Sequence, residues 1–242
     1  MLKITKKTGF TVGLLAILMS LPVFGASANK SIGIDAGTES SGAMTINGSI
    51  TVGEDAVVTG AIETKNGAIR VAAGARIESA STVNGSVGIS DNVHSLSLNT
   101  VNGSIKVGKT VIVDGEISTV NGRITVGDGT SVAQDVSNVN GRIEISGAEV
   151  GGDVTTVSGD ILIVENAVVK GDLRVEKSGG WLWRSMSPGS KPRIVIGPGS
   201  SVVGVIDLER EVELFISDTA TVGGVTGAMT LDDAVRFSGK RP

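Results

Sequence analysis

His94, in DNVHSLSL, is the sole histidine of the 242-residue chain. It could act as a general base for a hydroxyl nucleophile, but that chemistry needs an orienting acid behind the ring. Alternation along the segment places His94 outward, between Val93 and Ser95, so it is read as a solvated surface histidine. Asp135, Asp153 and Asp172 recur late in successive repeats and could form an acidic strip of the kind a carbohydrate-active enzyme uses. The simpler reading, three carboxylates on a solvated face, is preferred. There is no cysteine, and the acidic segments GEDA and GDG around Asp128 lack the GGxGxD series of calcium-binding coils. Glycine-rich stretches are not followed by the Lys-Ser/Thr and helix of a phosphate loop. No catalytic residue, metal site or cofactor is expected.

Two further sets of residues stand out. Trp181 and Trp183, with Arg184 and Met186, lie in EKSGGWLWRSMSPGSKP, where Gly179, Gly180, Pro188, Gly189 and Pro192 signal a loop at about 177–192. The tryptophans could fold back over an apolar strip, or could anchor a partner, a glycan or a membrane interface, since Trp and Arg are enriched in binding hot spots. The dipeptide Asn-Gly occurs at Asn47, Asn66, Asn84, Asn102, Asn121 and Asn140, always 18 or 19 residues apart. Stacked at one corner, these asparagines would bond to one another as a structural ladder; a binding role for the exposed strip is the alternative.

The elements that must position these groups follow from what lies between the Asn-Gly pairs. After each comes an apolar i, i+2 pair, such as Ile50 and Val52, Ile105 and Val107, or Ile124 and Val126. That period means a short strand with one face inward. Apolar or small residues recur at +4, +6 and +10 from the second member, as Val111, Val113 and Ile117 do after Val107. Each unit thus has three short strands. An antiparallel meander would make every Asn-Gly a type I′ hairpin turn. A parallel β-helix would make it one corner of a three-sided coil, with like residues stacked about 4.8 Å apart. Three strands per unit and identical residues at identical offsets favour the second. The expected fold is all-β, a single-stranded parallel β-helix of about nine coils of 18–19 residues, with right-handed preferred to left-handed winding.

The N-terminal residues combine three lysines, an apolar run too short for a membrane span, and small residues ending in Ala26-Ser27-Ala28, the order of a secretory signal peptide. Cleavage is expected after Ala28, with an uncleaved anchor as the alternative; no cysteine follows the apolar run, which excludes a lipoprotein. The expected organisation is a signal peptide at 1–28, an N-terminal cap segment at 29–44, a solenoid at 45–227 and a C-terminal tail or cap at 228–242. Removing Lys3, Lys6 and Lys7 leaves 18 basic against 25 acidic side chains, a balance that disfavours nucleic acid as partner.

The half-unit VGEDAVVTGAI at 52–62, echoed by VGKTVIVDGEI, VENAVVKGDL and IGPGSSVVGVI, resembles the repeat of bactofilins, the polymer-forming bacterial cytoskeletal proteins. The resemblance covers roughly 45–227, and the Asn-Gly units are also similar to those of bacterial adhesins built from repeated β-strand segments. It implies a right-handed β-helix that associates end to end as a scaffold near the envelope, with no catalytic residues. The signal peptide, the Trp-bearing insertion and the longer solenoid depart from that pattern. The function expected is that of a non-enzymatic envelope scaffold or self-assembling element, exported to the periplasm or the cell surface. Its partners would be further copies of itself through the solenoid ends, or an envelope protein or glycan. A binding module or adhesin using the Trp loop is the alternative, and a β-helix carbohydrate-active enzyme a third reading.

Overall fold

The aliphatic i, i+2 pairs become three-residue strands with both apolar side chains inward. In Ile105–Val107 the two ends are buried and Lys106 is exposed. In the computed structural model, which describes residues 29–177 and 191–242, these strands stack in parallel. They form an eleven-stranded sheet, face 1, running from Ile32–Ile34 to Val235–Phe237. Two-residue strands such as Ile112–Val113 and Ser131–Val132 build face 2, and strands such as Ile117–Asn121 and Val136–Asn140 build face 3. On every face a strand pairs with its counterpart one turn away, as in Ile112↔Ser131 and Ile117↔Val136. The result is an all-β, parallel β-solenoid of about ten turns, which rules out the meander.

The Asn-Gly corners show why. None of the six asparagines, nor Gly67, Gly85, Gly103 or Gly122, has a positive φ, whereas a type I′ turn needs one at both positions. Glycine is required there by stacking instead. A Cβ on Gly103 would lie 1.9 Å from the carbonyl oxygen of Gly85, and one on Gly122 1.8 Å from that of Gly103.

The 18-residue and 19-residue coils differ at other corners. In the 19-residue coils the face 3 residue falls at +10, as Ile117 does from Val107. In two 18-residue coils it falls at +9: Ala80 and Leu98 are the buried residues after Val71 and Ile89. There the strands Arg76–Thr82 and His94–Asn102 run unbroken over the corner between faces 2 and 3. In the coil of Ile143 and Ile145 the missing residue comes from the corner between faces 1 and 2, and Ala148 is buried at +3. The uniform +4, +6, +10 offsets expected from sequence hold only for the longer coils.

The core is a set of aliphatic columns. Ile50, Ile69, Val87, Ile105, Ile124, Ile143, Ile161 and Ile194 form one, each fully buried. Burying such a side chain contributes about 1.5–3 kcal/mol against the entropy of ordering it, so one coil alone gains little and stability accumulates by stacking. Residues 29–45 supply strands at all three face positions, Ile32–Ile34, Glu39–Ser40 and Ala43–Thr45. At the other end Leu231–Asp233 form a short 3-10 helix before Val235–Phe237 adds the last strand of face 1.

Candidate functional site

The six asparagines form a continuous amide ladder on the solenoid exterior. Each Nδ2 donates to the Oδ1 of the asparagine one turn earlier: Asn66 to Asn47 at 2.7 Å, Asn84 to Asn66 at 2.8 Å and Asn102 to Asn84 at 3.0 Å. Asn121 bonds Asn102 at 3.0 Å and Asn140 bonds Asn121 at 2.9 Å. Asn29 extends the ladder by one rung, accepting from Asn47 at 2.6 Å.

A second ladder runs inside the first, and the sequence reading did not single it out. The residue two before each of these asparagines is Thr45, Thr64, Thr82, Thr100, Thr119 or Asn138, and all six are buried. Thr64 donates to the Gly48 carbonyl at 2.8 Å, Thr82 to Gly67 at 3.0 Å, Thr100 to Gly85 at 2.9 Å and Thr119 to Gly103 at 3.1 Å. These are the carbonyls pressed against the next coil's glycine, where an unpaired oxygen would be costly. The signal was present as Thr-x-Asn-Gly.

The three aspartates do align, but as fasteners of the backbone. Asp135 Oδ1 accepts the N–H of Asp153 at 2.8 Å, Asp153 Oδ1 that of Asp172 at 2.8 Å, and Asp172 Oδ1 that of Val205 at 2.9 Å. Arg174 reaches Asp172 at 2.7 Å and Asp153 at 3.3 Å. Burial acts to raise the Asp172 carboxyl. Hydrogen bonds from Arg174 and the Val205 N–H, with the guanidinium charge, outweigh it and hold the group below the usual aspartate value. Glu176 is shifted the other way, by burial first and then by the charge of Glu209.

His94 is half-exposed on face 2, and its Nε2 lies 2.6 Å from Oδ2 of Asp114, one turn on. The orienting acid that the sequence reading missed is therefore present, since the coil step places Asp114 next to His94 in space. Both are solvent-accessible, and no serine or threonine hydroxyl bonds the ring among the described residues. Trp181, Trp183, Arg184 and Met186 lie outside the described residues, as does the expected signal peptide at 1–28. No cluster of three or more metal-ligating side chains occurs among the described residues.

One cavity spans the later coils of face 1, with a volume of about 920 Å³. Leu162, Val164 and Val195 form its apolar floor, and the C-terminal residues Lys240 and Arg241 contribute to its lining. Arg142 pairs with Asp160 at 3.2 Å, yet its buried Nε has no partner among the described residues, and Arg193 packs over the Phe215 ring at 4.6 Å. Comparison with known proteins finds no matching family model, no matching curated protein and no matching solved structure.

Proposed function

We propose that the chain is a non-enzymatic, exported β-solenoid that acts as an envelope-associated structural scaffold or self-assembling element. The observation that carries this reading is how its polar side chains are used. The asparagine, threonine and aspartate rows bond along the axis from coil to coil and hold backbone groups of neighbouring turns. Carboxylates engaged this way support stiffness rather than acid-base chemistry. Among the described residues, the strands Ile32–Ile34 and Val225–Gly227 of the end coils each pair on one side only, leaving parallel edges of the type that templates further pairing. The bactofilin-like half-units agree with end-to-end association, and the leader-like residues 1–28 agree with export.

Light scattering on the purified exported form tests this: mass should rise with concentration, and a strict monomer at high concentration would remove the self-assembling form. Export is tested by fusing residues 1–28 to a reporter active only outside the cytoplasm. No helix among the described residues is long and apolar enough to cross a membrane.

A binding module is the second reading. The face 1 cavity, with its apolar floor and unsatisfied Arg142 Nε, favours it. In that reading Trp181→Ala with Trp183→Ala lowers binding to cells, envelope polymers or lipid. Unchanged binding with a lower melting temperature assigns the tryptophans to packing.

A further inference from the structure

The outward row of face 1 reads, coil by coil, Thr51, Arg70, Gly88, Lys106, Thr125, in direct register. Gly88 therefore sits between two cations, one strand away on either side, whose Cα atoms are about 9.6 Å apart at two strand spacings. Glycine in a strand is unfavourable, because it packs nothing and loses the most conformational freedom. At most glycines of the stacked coils a close backbone contact or a positive φ compels it; at Gly88, as at Gly33 in the first strand of the same row, neither does. A Cβ on Gly88 would have Ile69 O, at 3.9 Å, as its nearest neighbour, and the φ is an ordinary one. The missing side chain leaves the floor clear between the two cations in a slot of about 590 Å³, lined by Thr51, Arg70, Gly88, Ser90, Asp91 and Lys106 among others. Arg70 and Lys106 are exposed, and neither has an ion pair or side-chain hydrogen bond among the described residues.

We propose that this slot binds an acidic polysaccharide. A sugar carboxylate or sulfate sits on the Gly88 backbone between Arg70 and Lys106, and ring hydroxyls meet Thr51, Ser90 and Asp91. The guanidinium fork of Arg70 suits either oxyanion. The slot lies on an open sheet face and sets these polar groups beside apolar Ala72 and Ala73, which suits a stretch of sugar polymer, with its hydroxyl edges and C–H faces, better than an enclosed apolar molecule. No aromatic side chain lines it, so nucleobases have nothing to stack on. The overall acidic charge does not forbid the contact, because at physiological salt it is screened beyond about 8 Å. The inference stands whether or not the coils associate end to end.

The test is binding of the full exported chain to immobilised polygalacturonate, dextran sulfate and neutral dextran. Binding to either acidic polymer, weakened by salt, with none to dextran, is expected; the preferred polymer identifies the anion as carboxylate or sulfate. Arg70→Gln with Lys106→Gln should weaken binding at least about tenfold, given the strength of charge-assisted bonds. The same charge loss elsewhere, Arg76→Gln with Lys177→Gln, should not. Gly88→Val should abolish binding while leaving the melting temperature equal or higher, because its side chain stands on the floor between Arg70 and Lys106, where the anion would sit, and improves the strand. Binding to neither acidic polymer, equal loss in both charge pairs, undiminished binding by Gly88→Val, or a clearly lower melting temperature for that variant would each overturn the proposal.

Discussion

Replacing Gly103 with alanine should destabilise the solenoid, against the usual sign of that substitution. Where the backbone fits, Gly→Ala stabilises by about 0.4–1 kcal/mol through the unfolded chain. Here the new Cβ would stand 1.9 Å from Gly85 O and 2.5 Å from the carbonyl carbon. A tolerable C···O contact is about 3.3 Å or more, so the coils must part by more than about 1 Å at that corner. Parting them strains the Thr100–Gly85 bond, at 2.9 Å, and the Asn102–Asn84 bond, at 3.0 Å. Overpacking costs about 1–3 kcal/mol. Each weakened hydrogen bond adds about 0.5–1.5 kcal/mol, giving a net loss of about 3 kcal/mol. For a chain of this size that is roughly 6–12 °C in melting temperature. The assay is thermal and urea unfolding followed by far-UV circular dichroism, comparing midpoints because repeat arrays can depart from two-state behaviour. Gly88→Ala, whose Cβ meets nothing nearer than 3.9 Å, is the matched control and should be neutral or slightly stabilising. A Gly103→Ala protein that melts with or above the parent would refute the stacking argument.

Thr100→Val keeps the shape but leaves the Gly85 carbonyl without its hydroxyl, and should cost about 1–3 kcal/mol in urea unfolding. His94→Ala and Asp114→Ala, removing an exposed pair, should each change stability by less than about 1 kcal/mol in the same assay. Because the folded-state value of Asp172 is depressed, its contribution is present above the ordinary aspartate range and is lost as pH falls through the lower folded value. The gap in melting temperature between the parent and Asp172→Asn should therefore narrow below about pH 4. Glu176 carries the opposite sign: its raised value makes the ionised form a burden above that value, so Glu176→Gln should raise the melting temperature at pH 7 and lose that advantage in acid.

Much of this architecture was legible in the sequence because the repeat forces like onto like. The Ile105 and Val107 pattern and the Asn-Gly spacing together define a coil, and the amide ladder follows from them. What was not legible depends on contacts across one turn. A one-residue difference in coil length could not be assigned to a corner, so Ala80 and Leu98 were missed as inward residues. Asp135, Asp153 and Asp172 read as a solvated strip because an acceptor for the backbone N–H one turn away leaves no mark on local pattern. His94 read as isolated for the same reason, with Asp114 twenty residues off in sequence and 2.6 Å away in space. Gly88 looked like one more glycine among 35, and only its open surroundings distinguish it from Gly103.

The glycine stack also sets where the molecule can accept added chain. From Gly48 to Gly159 this corner admits neither a side chain nor an extra residue, and changes in coil length are taken up at the other two corners. One turn after Gly159 the position in register belongs to Pro192, and the thirteen residues 178–190, which the structure does not describe, enter the chain just ahead of it. A peptide grafted between Lys177 and Lys191 should leave the coils intact, whereas the same peptide placed after Gly103 would split the stack in two. For anyone building on this scaffold, the Asn-Gly corner is the spine and its end is the port.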